Sequence, residues 1–222
     1  MENQSFMDPN FVPEEYKVPY DVIELPSQGL LYPNKKSKVK VEFLTAYDEN
    51  ILTSPNIMAS GKLIDVLIER KVKDLGFDHN LLLEGDRMAI ILFLRVTAFG
   101  ENYIQTVIDP RSKKLVEGEI NLSTLENKKL TIKPDENGYF DFKLPKVGRN
   151  IKFRLLTGKD EEEIDVIDDE LMERNKNDIS SKTTIRLERS IMEVDGEKDK
   201  IRISNILKSL PISDIRKLNK YM

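Results

Sequence analysis

The sequence predicts an α+β protein: a helical body with a small, mostly antiparallel β-sheet, an extended N-terminal arm and C-terminal helices. Three observations lead there. Apolar residues recur at helical spacing from about residue 60 to 99, the period switches to two between 103 and 157, and five prolines crowd the first 34 residues. The 222 residues accordingly divide into an arm over 1–34, a strand and helical body over 35–102, a β region over 103–158, and an acidic helix, linker and C-terminal helices over 159–222.

The arm interleaves Pro9, Pro13, Pro19, Pro26 and Pro33 with Phe6, Phe11, Tyr16, Tyr20 and Tyr32. Proline removes backbone donors and blocks a continuous helix, so the segment reads as extended and without a core of its own. Up to Pro13 a disordered leader is an equal reading. Otherwise the aromatics fill pockets on the body or on a neighbouring subunit, which makes Phe6, Phe11, Tyr16, Tyr20, Leu25, Leu30, Leu31 and Tyr32 the candidate partner-binding residues. Within Leu25-Pro26-Ser27-Gln28-Gly29-Leu30-Leu31-Tyr32-Pro33, proline and glycine are spaced as in a β-turn. A hairpin pinned to the body outranks a ligand site there.

Val39, Val41 and Phe43 alternate with Lys38, Lys40 and Glu42, the pattern of a half-buried strand. Thr45 stands three residues before Asp48, spacing that caps a short helix carrying Ile51 and Leu52, and Pro55 ends it. Leu63, Ile64, Leu67, Ile68 and Val72 then predict a helix from about Ser60 to Asp74. Asp86 is a candidate N-cap for the next one, whose run from Met88 to Leu94 is apolar on nearly every side and therefore predicts a central, buried helix. Arg95 follows it, either as an ion-pair partner for Asp86 or Asp65 or reaching past a partner protein to the surface. Gly100 closes the helix as a C-cap.

Five short strands are expected next: Tyr103 to Ile108, Lys114 to Leu122, Lys129 to Ile132, Tyr139 to Leu144 and Ile151 to Leu156, with Asn137-Gly138 as a hairpin turn. Thr157 to Asp160 opens a helix with an acidic first turn, and Glu161 through Glu170 holds seven carboxylates. Without the alternate-position ligands and central glycine of a calcium loop, these read as a solvated face, with Ile164, Ile167 and Leu171 turned inward. Arg174 to Lys182 reads as a polar link. Ile185, Leu187, Ile191 and Val194 suit either a helix or a strand, Asp195-Gly196 a turn, and helices close the chain at about 203–210 and 213–221 on either side of Pro211.

Taken together, the arm motif, the strand VKVEFLTAYDENIL, the helix GKLIDVLIERKVKD and the run LLLEGDRMAIILFLRVTAFGENY resemble the baseplate hub family of T-even-type contractile-tailed phages. The resemblance covers about Asp21 to Tyr103, with a looser likeness in Ile120 to Leu125 and in Leu210 to Leu218. It implies a structural or assembly component of a tail baseplate hub, with other baseplate or tail proteins as partners. Many members carry a Cys-x-x-Cys pair suited to zinc after the Gly-x-x-Tyr step. Here that stretch is Ile108-Asp109-Pro110-Arg111-Ser112-Lys113, without a thiolate, so the Asp109-Pro110 turn is expected to hold the loop by backbone restriction and no metal is expected.

Composition points the same way. A net charge of −4 draws the chain neither to nucleic acid nor to an anionic membrane, and no apolar run approaches a membrane span. Zero cysteines exclude disulfides and thiolate chemistry and fit the host cytoplasm as the place of assembly, with the virion tail baseplate as a second location. The single histidine, His79, sits in a polar stretch without a companion, and the scattered glycines form no phosphate-binding loop. The sequence thus predicts no enzyme, cofactor or small-molecule substrate. The alternative is a cytoplasmic adaptor or weak nucleic-acid-binding protein, with Lys35, Lys36, Lys38, Lys128 and Lys129 as its basic footholds.

Overall fold

The computed structural model describes residues 17–175 and 179–222, and it is α+β. β1 (Tyr20–Glu24) and β2 (Lys38–Glu42) pair antiparallel, from Tyr20 opposite Glu42 to Glu24 opposite Lys38. Val39 and Val41 turn inward to full burial while the intervening lysines stay out. Between the strands the chain makes successive tight turns, with Gln28 and Gly29 both at positive φ. A Cβ on Gly29 would collide with the Lys36 carbonyl, so the turn requires glycine twice over.

This corrects the arm. From Tyr20 onward the segment expected to project is the first strand and turn of the body, with Leu25 and Tyr32 in the core. The prolines permit it because none falls inside β1: Pro19 precedes the strand, and Pro26 and Pro33 lie in the turns. Pro9, Pro13, Phe6, Phe11 and Tyr16 lie outside the described residues.

Four helices follow: α1 (Ala46–Leu52), α2 (Pro55–Ala59), α3 (Leu63–Lys71) and α4 (Glu84–Phe99). Asp48 locks α1 to α3. Its carboxylate accepts from the Thr45 amide and hydroxyl, both at 2.7 Å, and is paired with Lys71 at 2.5 Å and Arg70 at 3.2 Å. Burial opposes its charge, but these partners outweigh burial and hold its pKa at about 2. The first core gathers Leu25 just after β1, Val39 and Val41 of β2, Ile68 of α3, Leu82 before α4 and Ile90 of α4.

α4 is not buried on nearly every side. Asp86, Arg87, Ala89, Ile90 and Leu94 form its buried stripe, Ile91, Leu92 and Phe93 are half-buried, and Met88 and Phe99 are exposed. The helix packs one face on the body and turns Met88 into a cleft. Arg95 pairs with neither predicted acid: it lies nine residues beyond Asp86, about two and a half turns, on the opposite face. Its guanidinium instead sits over the rings of Phe99 and Tyr103, 5.0 and 5.6 Å from their centroids. Asp65 is taken by Arg87 at 2.5 Å, and Gly158 presses so closely on that guanidinium that any side chain there would strike it.

The expected β region is two separate structures. β3 (Asn102–Ile108) and β4 (Leu115–Asn121) form an isolated two-stranded ribbon. β5 (Phe140–Lys143), β6 (Asn150–Phe153) and β7 (Ile191–Val194) form a three-stranded antiparallel sheet that draws its third strand from the C-terminal segment. The boundaries at 103 and 158 therefore do not enclose one unit. Lys129 to Ile132 is not a strand: Leu130 donates a single bond to the Pro26 carbonyl and the stretch stays irregular. Asn137-Gly138 does turn, through two amides donated to the Asp135 carboxylate, but with no strand before it there is no hairpin.

α5 (Gly158–Asn175) and α6 (Lys182–Ser190) pack around Ile164 and Ile185. The acidic stretch keeps the expected solvated face, with Glu162, Asp165, Asp169 and Glu170 exposed and Ile164, Ile167 and Leu171 turned inward, and adds a surface ion-pair seam. Glu161, Glu163 and Asp165 meet Arg186, Arg189 and Lys182 at 2.5, 2.7 and 2.8 Å, because α6 brings basic residues to the same side. Asp160 caps α5 through Thr157 and holds Arg154 by two bonds; burial again opposes its charge, yet its pKa falls to about 2. The ambiguous segment serves both roles in turn, Ile185 and Leu187 on α6, then Ile191 and Val194 on β7. Finally α7 (Lys200–Lys208) and α8 (Ile212–Tyr221) cover the sheet, and buried Asp214 accepts the amides of Lys146 and Val147 at 3.0 Å.

Candidate protein interface

The predicted partner-binding residues separate by burial. Leu25 and Tyr32 are core, Leu30 and Leu31 half-buried, and Tyr20 exposed with the Lys40 ammonium over its ring. Leu31 packs against both large cores, so it joins the two halves of the body. Leu25 and Tyr32 are thereby corrected: they hold the turn onto the protein's own α4 and are covered.

The clasp is built on Asp86. Its carboxylate accepts the Ser27 amide at 2.8 Å, the Ser27 hydroxyl at 2.5 Å and the Tyr32 hydroxyl. Tyr32 in turn accepts the Leu83 amide at 2.9 Å and lies 4.7 Å from the Phe77 ring. Asp86 is the third residue of α4, where exposed helix amides favour a negative group. Burial pushes its carboxyl up all the same, against the bonds from Ser27 and Tyr32, and burial beside Asp86 raises the Tyr32 hydroxyl as well. The sequence motif shows a turn; it does not show that its Ser and Tyr converge on an acid 54 and 59 residues away.

Beside the clasp lies a cleft of about 800 Å³, lined by Pro26, Met88, Leu130, Ile132, Leu155 and Tyr221. Its surface is mostly apolar, and charged groups at its edge are paired, Glu161 with Arg186 and Lys129 with Glu24. His79 lies elsewhere, half-buried, with Nε2 3.0 Å from the Val72 carbonyl oxygen in a small polar pocket shared with Asp65 and Arg87. Among the described residues no three His, Asp or Glu side chains converge as a metal site.

The basic residues of the alternative reading are engaged internally. Lys36 is bound to Asp74, Lys38 and Lys129 to Glu24, Lys35 to the Leu30 carbonyl, and Lys128 to the carbonyls of Lys220 and Tyr221.

The exposed apolar surface is concentrated on the β3–β4 ribbon, which the residue-by-residue prediction of partner contacts missed. Every residue of both strands is exposed; Ile104 and Ile108 stand at 64 % and Leu115 at 71 %. The pairing register puts Tyr103 with Ile120, Gln105 with Gly118 and Val107 with Val116 on one face, which carries no charge. Ile104 with Glu119, Thr106 with Glu117 and Ile108 with Leu115 form the other. The signal was present in the sequence: both strands have apolar residues on both faces, whereas a ribbon lying on its own body would alternate. At its tip the Asp109 carboxylate accepts the amides of Arg111 and Ser112 and the Ser112 hydroxyl at 2.6 Å. Side-chain bonds therefore hold this loop, in addition to the backbone restriction expected of Asp109-Pro110.

No protein-family model, no curated protein and no solved structure matches the chain. Among the described residues no helix is long and apolar enough to cross a membrane.

Proposed function

We propose that this protein is a structural or assembly component of a contractile phage tail baseplate hub, acting through contacts with other baseplate or tail proteins and without catalysis. The motifs from Asp21 to Tyr103 suggest the setting. The observation that supports action by docking is the ribbon: two seven-residue strands with apolar groups on both faces and no cover from the described residues. An isolated two-stranded ribbon is marginal in water, so a chain that carries one gains most when a partner covers it. Assembly takes place in the host cytoplasm, with the finished baseplate as the second location.

The test is incorporation. Tagged full-length chain from infected cells should co-purify with identified baseplate proteins, and replacing residues 103–120 by a short Gly-Asn turn should abolish this while circular dichroism reports a folded body. Deleting Met1 to Val18 should also reduce incorporation. Normal hub assembly with the ribbon removed would overturn the proposal.

A further inference from the structure

We infer that the ribbon's own partner is a second copy of this chain, joined edge to edge along β3 by antiparallel pairing about a twofold axis at Gln105. This rests on reading the ribbon as a docking element and names what docks on it.

The two edges of the ribbon differ. β3 reads Asn102-Tyr103-Ile104-Gln105-Thr106-Val107-Ile108, with no charge, no proline and no bulge, so none of the usual devices that block strand addition is present. Among the described residues its ladder runs to β4 alone. β4 carries Glu117 and Glu119 on either side of Gly118. Two β4 edges meeting about Gly118 would place Glu117 of each copy opposite Glu119 of the other, two like-charge pairs in an already acidic protein. Charge thus disfavours that pairing, whereas the seven residues of β3 bring no charge into theirs.

β3 also suits its own reverse. About Gln105, Ile104 of one copy faces Thr106 of the other, and Tyr103 faces Val107; these are the β-branched and aromatic types that pair best across strands. The two Gln105 side chains meet on the axis, where each amide both donates and accepts. Just outside the strand the same axis brings Glu101 of each copy towards Asp109 of the other, and there the Asp109 carboxylate is turned back into its own loop by the Arg111 and Ser112 amides and the Ser112 hydroxyl. The product is a four-stranded sheet in the order β4-β3-β3-β4, whose uncharged face carries Tyr103, Val107, Val116 and Ile120 from each copy. Twofold addition along an exposed edge satisfies the open backbone groups of both copies at once.

The experiment is a charge swap on the axis. In one copy Gln105 faces Gly118, so a longer side chain has room and the ribbon itself is undisturbed. Sedimentation of the full chain over a concentration series should show a monomer–dimer equilibrium. Gln105→Lys and Gln105→Glu should each raise the dimer dissociation constant roughly tenfold or more by opposing like charges, and mixing the two variants should restore dimers. Three outcomes overturn the inference: a wild-type chain that stays monomeric throughout, single variants that dimerise as wild type does, or a mixture that fails to recover. A monomer that still co-purifies with baseplate proteins through its ribbon would assign the edge to a foreign strand and leave the proposed function standing; loss of that co-purification as well would remove both.

Discussion

The β3–β4 ribbon and the β5–β6–β7 sheet share local chemistry and meet opposite fates. Both are short antiparallel strands rich in β-branched and aromatic residues. In the sheet, Phe140, Ile151, Phe153, Ile191 and Val194 are buried under α6, α7 and α8, and Phe140 and Phe153 stack at 5.5 Å. In the ribbon no residue is buried. The difference is supplied from far along the chain: a third strand and three helices arrive from residues 182–221 to cover one structure and not the other. The joint to the ribbon is slight, chiefly Arg95 over Phe99 and Tyr103. One structure is stabilised by the fold it belongs to, and the other is left exposed.

The sharpest way to break this comparison is truncation in the sheet. Phe153→Ala removes a fully buried ring and should cost about 3–5 kcal/mol in denaturant unfolding. A loss below about 1 kcal/mol would mean that the sheet is no better anchored than the ribbon.

Acid should act chiefly on the body, reaching the ribbon only at its tip, where the Ser112 hydroxyl and the Arg111 amide hold the Asp109 carboxyl below its usual range. Asp48 and Asp160 both titrate near 2 when folded, below an unfolded carboxyl, so the stability they contribute is present above about pH 4 and lost as pH falls from there to about 2. Asp86 has the opposite sign: its raised pKa favours the fold at low pH and that contribution is lost as pH rises through the folded value. Net destabilisation between pH 4 and 2 is expected, with a shallower slope in Asp160→Asn; an unchanged slope in that variant would remove the Arg154–Asp160 clamp from the account.

Tyr32→Phe deletes the hydroxyl that serves Asp86 and the Leu83 amide, and should cost about 1–3 kcal/mol through the buried groups left without a partner. It should leave amide exchange in the ribbon unchanged. Faster exchange across β3 and β4 in that variant would couple the two regions.

The smallest effect belongs to the ribbon's own surface. Val107→Thr keeps the β-branch, and on an exposed face it should shift monomer stability by no more than about 0.5 kcal/mol. In the wild-type monomer the ribbon amides should exchange faster than those of β6, the central strand of the sheet. Equal protection would show that the ribbon has a cover within its own chain.

The α+β class, the hairpin strand β2, the capped helix at Thr45, the helix ends at Gly100 and Pro211 and the strands β3 to β6 are legible in the sequence because each rests on periodicity and turn chemistry within a few residues. Burial of α4 is not legible in the same way. A run of seven apolar residues reports hydrophobicity, while the number of neighbours that arrive to cover it is a property of the whole fold. The candidate interface fared likewise: aromatic and proline content drew attention to Leu25 and Tyr32, which the clasp to Asp86 draws inside, and away from β3, which nothing described covers.

By itself the sequence determined most of the helices, strands and turns, though not β1 or the irregular stretch 129–132, and that neither a charge field nor a thiolate is available. Tertiary structure alone decided the destinations: Asp86 for Ser27 and Tyr32, Asp48 for Lys71, Arg87 for Asp65, and exposure for the ribbon. Local conformation is set by interactions over a few residues, which can be read in order along the chain. Burial and pairing are set by which distant surfaces meet, and partners 22 to 59 residues apart leave no local mark of that meeting.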